Sequence, residues 1–322
     1  MFTFVRYAGL AIAIMIIGLV AGAPAADGAT AAVPAHKVTY VRSGSVYVLS
    51  GATETRLTRD ADDIRPRWSP DGKRLAFVHA GRLWVMNADG TGKRALASGI
   101  VGGAGWSPDG RWLAYPGPGC TGIDGVFRVA TTGAAGTPEA LFPAECRGQK
   151  PPRIDGRPKV GGTLADRMRV DGAVAWSPDG TRLAFRGGQC LGIVDDCLTV
   201  GTVATGGEQM VAGYGGGGQV FSGFAVVPAW RPDGQRLSWT SAQEGADADT
   251  TKPVHVVEAD PAGSTTRTVG LALDREMAYD GPTRGVLTGQ YRGASWLFAI
   301  DLGTGARTPL RQGSQPSVNP VG

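Results

Sequence analysis

The chain of 322 residues has few of the side chains that carry most enzyme chemistry. It contains three histidines, His36, His79 and His255, and no two of them have the spacing of zinc ligands. It lacks the Gly-x-Ser-x-Gly elbow of a serine hydrolase, and no α/β domain is present to hold one. The four glycines at residues 215–218 lack the Lys-Ser/Thr and the following helix of a phosphate loop. We therefore predict structural roles for the three histidines, and we predict that the four glycines form a flexible loop.

Charge is also sparse. Charged residues make up 19% of the chain and the net charge is +4, with Lys and Arg scattered among acidic residues. This pattern does not predict nucleic-acid binding. What the chain has in abundance is 51 glycines and 21 prolines, which punctuate many short strands and turns. With 42% hydrophobic residues, the composition predicts an all-β protein with a packed core.

The N-terminus holds the one long apolar run. Arg6 precedes an uncharged apolar run at residues 7–20, and an Ala-Pro-Ala triplet then fits a small-x-small cleavage site. We predict a signal peptide at residues 1–25 and a short linker at residues 26–36, with an alternative cleavage site near residues 29–32. An uncleaved membrane anchor is the rival interpretation, although the run is short for a span. The expected location is periplasmic, cell-envelope associated or secreted, with no membrane span after cleavage.

A five-residue motif occurs four times along the chain. Each copy reads Trp-Ser-Pro-Asp-Gly, with Arg replacing Ser in the fourth, and runs into an apolar stretch such as Leu-Ala-Phe. Trp favours strands, Pro sets φ at a corner, and Asp-Gly supplies a tight reversal. Each copy thus predicts strand A, a turn capped by its own aspartate, and strand B. The repeated residues are Trp68, Asp71 and Gly72; Trp106, Asp109 and Gly110; Trp176, Asp179 and Gly180; and Trp230, Asp233 and Gly234.

A second repeat alternates with the first and gives the number of blades. Apolar segments such as Leu-Trp-Val-Met, each followed by a Gly- or Thr-rich turn, predict strands C and D. Six such segments occur, so we predict a six-bladed β-propeller over residues 37–322, with about 47 residues per blade. The first blade shows only strand B, at residues 38–41. Since Pro316 and Pro320 have the spacing of Pro66 and Pro70, we expect a C-terminal strand to complete this blade and close the ring.

The combined pattern resembles the WD40-like PD40 repeats of TolB-type propellers. The residues that carry the resemblance are Trp-Ser-Pro-Asp-Gly-x-x-Leu-Ala-Phe and Leu-Trp-Val-Met-Asn-Ala-Asp-Gly-Thr-Gly, and it covers most of residues 37–320. It implies the six-bladed fold. Because only about a dozen residues separate the predicted signal peptide from the first strand, we expect the separate N-terminal domain of TolB to be absent. Such repeats also occur in prolyl-oligopeptidase-type peptidases and in binding proteins, so the resemblance is specific for the fold and weak for the function.

Four cysteines give the clearest local signal. In an exported chain, an even number of cysteines favours disulfides. Cys120 and Cys190 each lie 14 residues after a motif tryptophan, at equivalent ends of strand B. We favour the pairs Cys120–Cys146 and Cys190–Cys197, the simplest of three connectivities, with Cys120–Cys190 left open as an alternative.

The largest insertion, at residues 143–172, carries an excess of basic residues. Insertions and cysteines gather on the face that carries the B–C and D–A connections, and specificity usually lies in variable loops on a rigid scaffold. We expect a monomeric, non-catalytic binding or scaffold propeller without cofactor or metal. Its expected partner is an envelope or extracellular protein or an anionic polymer, bound on this face or at the channel mouth. The alternatives are a lyase or hydrolase with a site at the central channel, a purely structural envelope component and, for the insertion, an ordinary solvated loop. The candidate partner residues are Arg147, Lys150, Arg153, Arg157, Lys159, Arg167 and Arg169.

Overall fold

Six four-stranded antiparallel sheets make up the part of the chain that the computed structural model describes. This is the six-bladed β-propeller that the repeats predict. The predicted signal peptide and most of the linker lie outside the described residues, as do Arg153, Arg157 and Lys159. The described part is residues 34–321 without 100–101, 121–123, 134–135, 151–161, 191, 193, 195, 216–221 and 245–251.

The first three blades follow one another along the chain, and in blades 2 and 3 the strands A to D are consecutive. Their strands are β1 (Val38–Arg42), β2 (Ser45–Ser50) and β3 (Thr53–Arg56) of blade 1; β4 (Asp63–Trp68), β5 (Arg74–His79), β6 (Arg82–Asn87) and β7 (Arg94–Ser98) of blade 2; and β8 (Gly105–Trp106), β9 (Trp112–Pro118), β10 (Asp124–Ala130) and β11 (Glu139–Phe142) of blade 3.

The remaining blades repeat the arrangement, and the degenerate hairpin expected near residues 275–290 becomes strands A and B of blade 6. The strands are β12 (Ala175–Trp176), β13 (Arg182–Arg186), β14 (Asp196–Thr202) and β15 (Glu208–Tyr214) of blade 4; β16 (Ser222–Trp230), β17 (Leu237–Glu244), β18 (Lys252–Ala259) and β19 (Arg267–Val269) of blade 5; β20 (Arg275–Tyr279), β21 (Arg284–Tyr291), β22 (Ala294–Asp301) and β23 (Arg307–Gln312) of blade 6; and a last strand, β24 (Ser314–Val318).

The last strand closes the ring. β24 pairs antiparallel with β1, with Val318 opposite Val38, and becomes strand A of blade 1. The amide of Asn319 donates to the carbonyl of Lys37 at 2.8 Å and extends the pairing. The predicted closure by the C-terminal strand is confirmed, and β24 covers the edge of β1 that would otherwise be unpaired.

Among the residues that the structure describes, helix occurs in the insertion alone. A 3₁₀ turn spans Ala144–Cys146, and a short α-helix, α1, spans Leu164–Arg169. Thr163 caps α1: its hydroxyl accepts from the amide of Asp166, whose carboxylate accepts from the amide of Thr163. Neither helix is long and apolar enough to cross a membrane, and no other helix occurs among the described residues.

The hydrophobic core lies between the blades. Six buried clusters each join residues of two neighbouring blades; Leu83 and Leu113, for example, belong to one cluster between blades 2 and 3. The motif tryptophans take part directly, since the indole nitrogen of Trp106 donates to the carbonyl of Arg67 at 3.0 Å. Arg74 of blade 2 also lies over the Trp106 ring, 4.7 Å from its centroid. The Trp106 repeat therefore fastens blade 3 to blade 2.

The Asp-Gly turns are short and alike. In blade 2 the hydroxyl of Ser69 donates to Asp71 at 2.5 Å, and the amide of Lys73 donates to the same oxygen at 3.1 Å. Asp109 and Asp179 accept equivalent bonds in blades 3 and 4. Each turn aspartate is thus engaged by its own hairpin, a local hydrogen-bonding pattern typical of Asx turns.

Candidate functional site

One position of strand A distorts the backbone at the central channel. It lies three residues before the motif tryptophan, or before Tyr279 and Val318, which replace tryptophan in blades 6 and 1. In four blades the residue there has a positive φ, between +53° and +60°, beside a break in the A–B register. Such bulges re-aim side chains and often mark functional sites. The six equivalent residues are Arg65, Gly103, Ala173, Val227, Glu276 and Gln315.

The bulge residues of blades 1, 2 and 6 are joined in a buried ion-pair network. The Arg65 guanidinium, 2% exposed, lies 2.9 Å from Glu276, and its Nε donates to Asp171 at 2.6 Å. The side-chain carbonyl of Gln315 accepts a hydrogen bond from the backbone amide of Arg65 at 2.7 Å. The backbone amide of Gln315 donates to the Glu276 carboxylate at 3.0 Å. Asp171 follows α1, so the network also connects the insertion to the ring.

The opposite charges of this network keep one another ionised. Burial alone would lower the pKa of Arg65, but the charges of Asp171 and Glu276 outweigh burial and raise it. Burial would raise the pKa of Glu276, and the positive charges of Arg65 and Arg275 hold it below its ordinary value instead. Arg65 and Glu276 are therefore ionised at neutral pH. Their pairing compensates the cost of placing charge in the interior.

Helix α1 lies at the same end of the channel. Met168 is buried against Phe224 and Val226 of blade 5, and Leu164 packs against the same cluster. The amide of Asp171 donates to the carbonyl of Met168 at 2.9 Å, which fixes the carboxylate directly after the helix. The insertion thus places a helix and an acidic residue over the beginning of the inner strands.

A polar cleft of about 360 Å³ remains beside α1; we call it the loop-side cleft. Its walls hold three arginines and two carboxylates. Burial lowers the pKa of Arg275, and the positive charges of Arg65 and Arg167 lower it further, against the attraction of Glu276. Two of the most exposed large apolar side chains in the described part, Leu271 and Leu273, belong to the loop that leads into Arg275. The charged lining residues are Arg65, Arg167, Asp171, Arg275 and Glu276.

The opposite end of the channel has a different character. A cavity of about 410 Å³, the turn-side recess, opens among the A–B turns and is lined by the motif tryptophans and prolines. One charged side chain lines it, that of Arg67, whose Nη1 donates to the carbonyls of Pro66 at 3.0 Å and Pro316 at 3.4 Å. The apolar lining residues are Trp68, Pro70, Trp106, Pro108, Trp176, Pro178, Trp230, Pro232, Met277 and Pro320.

Comparison with known proteins supports this architecture. No protein-family model matches the chain. The Tol-Pal system protein TolB of Gluconobacter oxydans (strain 621H) is 44% identical over 66 residues, a match that covers 19% of this chain and 15% of that protein. The match therefore spans far less than two thirds of that relative.

Solved structures extend the likeness to the whole ring. TolB from Acinetobacter baumannii superposes with a TM-score of 0.64 at 13% identity, over 89% of this chain and 67% of that one. A putative TolB from Agrobacterium tumefaciens gives 0.58 at 17% identity, over 88% and 93% of the two chains. The fold is that of the TolB-type propellers. An oligogalacturonate lyase from Vibrio parahaemolyticus also superposes, at 0.50 and 11% identity over 83% and 71%, so the fold occurs in enzymes as well.

Within this TolB-type fold, the cysteines pair as predicted. Cys120 bonds to Cys146 and Cys190 bonds to Cys197, with Cα atoms 5.6 and 5.7 Å apart. The first bridge connects the B–C connection of blade 3 to the start of the insertion, and the second closes the B–C loop of blade 4. The alternative pairing of Cys120 with Cys190 is wrong.

The predicted basic partner residues are divided between two places. Arg147 is bound to blade 4, where its guanidinium donates to the carbonyls of Val203 and Ala204. Arg167 and Arg169 lie on α1; Arg167 is exposed at the loop-side cleft, and Arg169 lies 5.6 Å from the Phe224 ring centroid. Lys150 is exposed, and Arg153, Arg157 and Lys159 lie outside the described residues.

The histidines have structural contacts. His36 lies 2.6 Å from Asp280 and His79 lies 2.8 Å from Asp63. His255 lies 3.4 Å from the hydroxyl of Ser241, a residue with no exposed surface. In the described ranges, no group of three or more His, Cys, Asp or Glu side chains is arranged to hold a metal ion.

The charged residues of the channel were not predicted from the sequence. Arg65 and Arg67 fall in positions where the other blades mostly have small or apolar residues, and alignment of the six strand-A segments would have isolated them. The two carboxylates that pair with Arg65 have no such signal. Asp171 lies 106 residues away in the insertion, and Glu276 belongs to the degenerate sixth hairpin.

Proposed function

We propose that this chain is an exported, non-catalytic binding propeller that holds an acidic segment of an envelope or extracellular partner at the loop-side cleft. The observation that carries the proposal is the composition of that cleft. Three arginines face two carboxylates there, so the lining has a net charge of about +1 when all five groups are ionised. Leu271 and Leu273, in the loop that leads into Arg275, are 56% and 39% exposed.

Mixed surfaces of this kind suit protein recognition. A carboxylate of the partner can pair with Arg167, which is exposed, while apolar side chains cover the two leucines. The arginine supplies orientation and the leucines supply buried area. An acidic segment with neighbouring apolar residues fits better than a uniformly charged polymer, because the polymer would leave the leucines exposed.

The scaffold behind the cleft is rigid. The Arg65 network joins blades 1, 2 and 6 to the insertion, and α1 packs on blade 5. Preorganised surfaces lose less conformational entropy on binding than mobile loops do. The cleft is therefore built as a fixed docking site.

Two features support export. The N-terminal sequence has the pattern of a secretory signal, and two disulfides require an oxidising compartment in most organisms. N-terminal sequencing of the natural protein tests this part directly. A mature chain that begins after residue 25, or a few residues later, supports it, and retention of Met1 in a membrane fraction contradicts it.

The binding proposal is tested with matched charge reversals on the two faces. Arg167→Glu reverses an exposed charge at the loop-side cleft, and Lys73→Glu reverses an exposed charge on the Asp-Gly turn of blade 2. The mature protein and both variants serve as bait in extracts of the producing organism's envelope. We expect one captured protein to be lost with Arg167→Glu, and with Leu271→Asp/Leu273→Asp, yet retained with Lys73→Glu. Equal capture by all baits would contradict the proposal.

A further inference from the structure

Arg67 is an exception in the propeller repeat. The position before the motif tryptophan, or its counterpart, holds a small residue in the other five blades. These residues line the turn-side recess together with Arg67, so one long cationic side chain occupies a ring that is otherwise made of short ones. The small residues are Gly105, Ala175, Ala229, Ala278 and Ser317.

The guanidinium of Arg67 has carbonyl partners and no carboxylate partner. Its Nη1 donates to the carbonyls of Pro66 and Pro316. No ion pair of Arg67 occurs among the described residues, although Arg65, two positions earlier, is paired with both nearby carboxylates. The Nε–Nη2 edge of the guanidinium, which can bind a carboxylate in bidentate fashion, has no protein partner in the described part of the chain.

The surroundings make this charge costly. Burial first, and then repulsion from Arg65, lowers the pKa of Arg67 to about 10, against a weaker attraction by Asp171 and Glu276. The side chain still carries its positive charge at neutral pH. A bound anion would relieve both effects, because it would add the opposite charge that the channel lacks at this end.

We propose that the turn-side recess is a binding site for a small apolar carboxylic acid, whose carboxylate is held by Arg67. A volume of about 410 Å³ accommodates a compact ligand, and tryptophan and proline rings would cover its apolar part. A single carboxylate matches the one uncompensated charge, whereas a phosphate dianion would bring a second charge into apolar walls. This site lies at the other end of the channel from the loop-side cleft, so it stands independently of the proposed function.

The first test uses the wild-type protein. Titration calorimetry at low ionic strength compares 3-phenylpropionate with its neutral amide, 3-phenylpropanamide, and with inorganic phosphate. We expect the acid to bind at least about tenfold more tightly than the amide, the ratio typical of one charge-assisted hydrogen bond. Equal binding of acid and amide, preference for phosphate, or no heat of binding up to solubility would each overturn the assignment.

The second test assigns the site to Arg67. Arg67→Met keeps an unbranched, flexible side chain and removes its charge, and we expect it to lose the acid's advantage over the amide. Arg67→Lys keeps the charge without the bidentate edge and should weaken acid binding less. Arg111→Ala, which removes an exposed arginine from the neighbouring turn outside the recess, should bind as the wild type does. Wild-type affinity in a folded Arg67→Met protein would overturn the proposal, and the acid–amide comparison does not depend on any variant folding.

Discussion

At the scale of single residues, ion pairing distinguishes two arginines that are two positions apart in the sequence. Arg65 is enclosed and has two carboxylate partners, whereas Arg67 lines an open recess and has carbonyl partners. Burying a charge is tolerated where an opposite charge is supplied at short distance. Arg65 is thus a structural residue of the channel, whereas the Nε–Nη2 edge of Arg67 is available to bind an anion.

Removal of the Arg65 charge should destabilise the protein strongly. We expect Arg65→Met to lower the free energy of unfolding by about 3–5 kcal/mol, because Asp171 and Glu276 would remain buried without their partner. The matched control is Arg42→Met, which breaks a partly exposed pair with Glu54 and should cost at most about 1 kcal/mol. Urea unfolding of both variants measures the difference. Similar midpoints for the two would contradict the structural role of the network.

The turn aspartates should titrate abnormally. The hydroxyl of Ser107, followed by the amide of Arg111, lowers the pKa of Asp109 to about 2. Since this value lies below the ordinary one near 3.9, the carboxylate favours the folded state above that pH and loses this effect as pH falls through about 2. Carbon-detected NMR titration should show the low pKa, and Ser107→Ala should raise it. An ordinary pKa in the native protein would refute the turn geometry.

At the scale of elements, the two disulfides constrain loops of different length. The Cys120–Cys146 bridge spans 26 residues and the Cys190–Cys197 bridge spans 7. Loop-closure entropy predicts stabilisation of about 3.5 kcal/mol for the first and about 2.4 kcal/mol for the second. Paired Cys→Ser variants should therefore differ in unfolding free energy by about 1 kcal/mol, as calorimetry can measure. A larger loss for the shorter loop would show that native contacts, rather than chain entropy, dominate.

The strands and the insertion differ in how far the sequence predicts them. Each A–B hairpin combines a strand residue, a turn residue and a second apolar strand within a dozen positions, so local chemistry suffices to predict it. Helix α1 belongs to a segment without a repeat, and its six residues form against Phe224 and Val226 of another blade. Its position is set by tertiary contact, which the sequence alone does not reveal.

At the scale of the whole molecule, closure of the ring depends on β24. Deletion of the chain from Gly313 onward would remove the strand that pairs with β1 and expose the edge of β1 that this strand covers. We expect the melting temperature to fall markedly, and a control that ends after Asn319 to melt close to the full chain. An unchanged melting temperature after the longer deletion would contradict the closed topology.

The fold could be predicted because each of its blades repeats the same local rules. The candidate sites could not, because they arise where blades depart from the repeat and side chains meet across the channel. Arg65 meets Asp171 and Glu276 through three different segments of the chain. The repeat thus specifies the scaffold, and its exceptions specify what the scaffold can bind.

The central claim is that partners dock at the loop-side cleft. Site-specific photo-crosslinking in the producing organism tests it most directly, with a photoreactive residue placed either at Leu271 or at Lys73 on the opposite face. We predict a discrete crosslinked species from position 271, lost when Arg167→Glu is added, and no such species from position 73. Crosslinks from position 73 alone, or from position 271 without dependence on Arg167, would contradict the account.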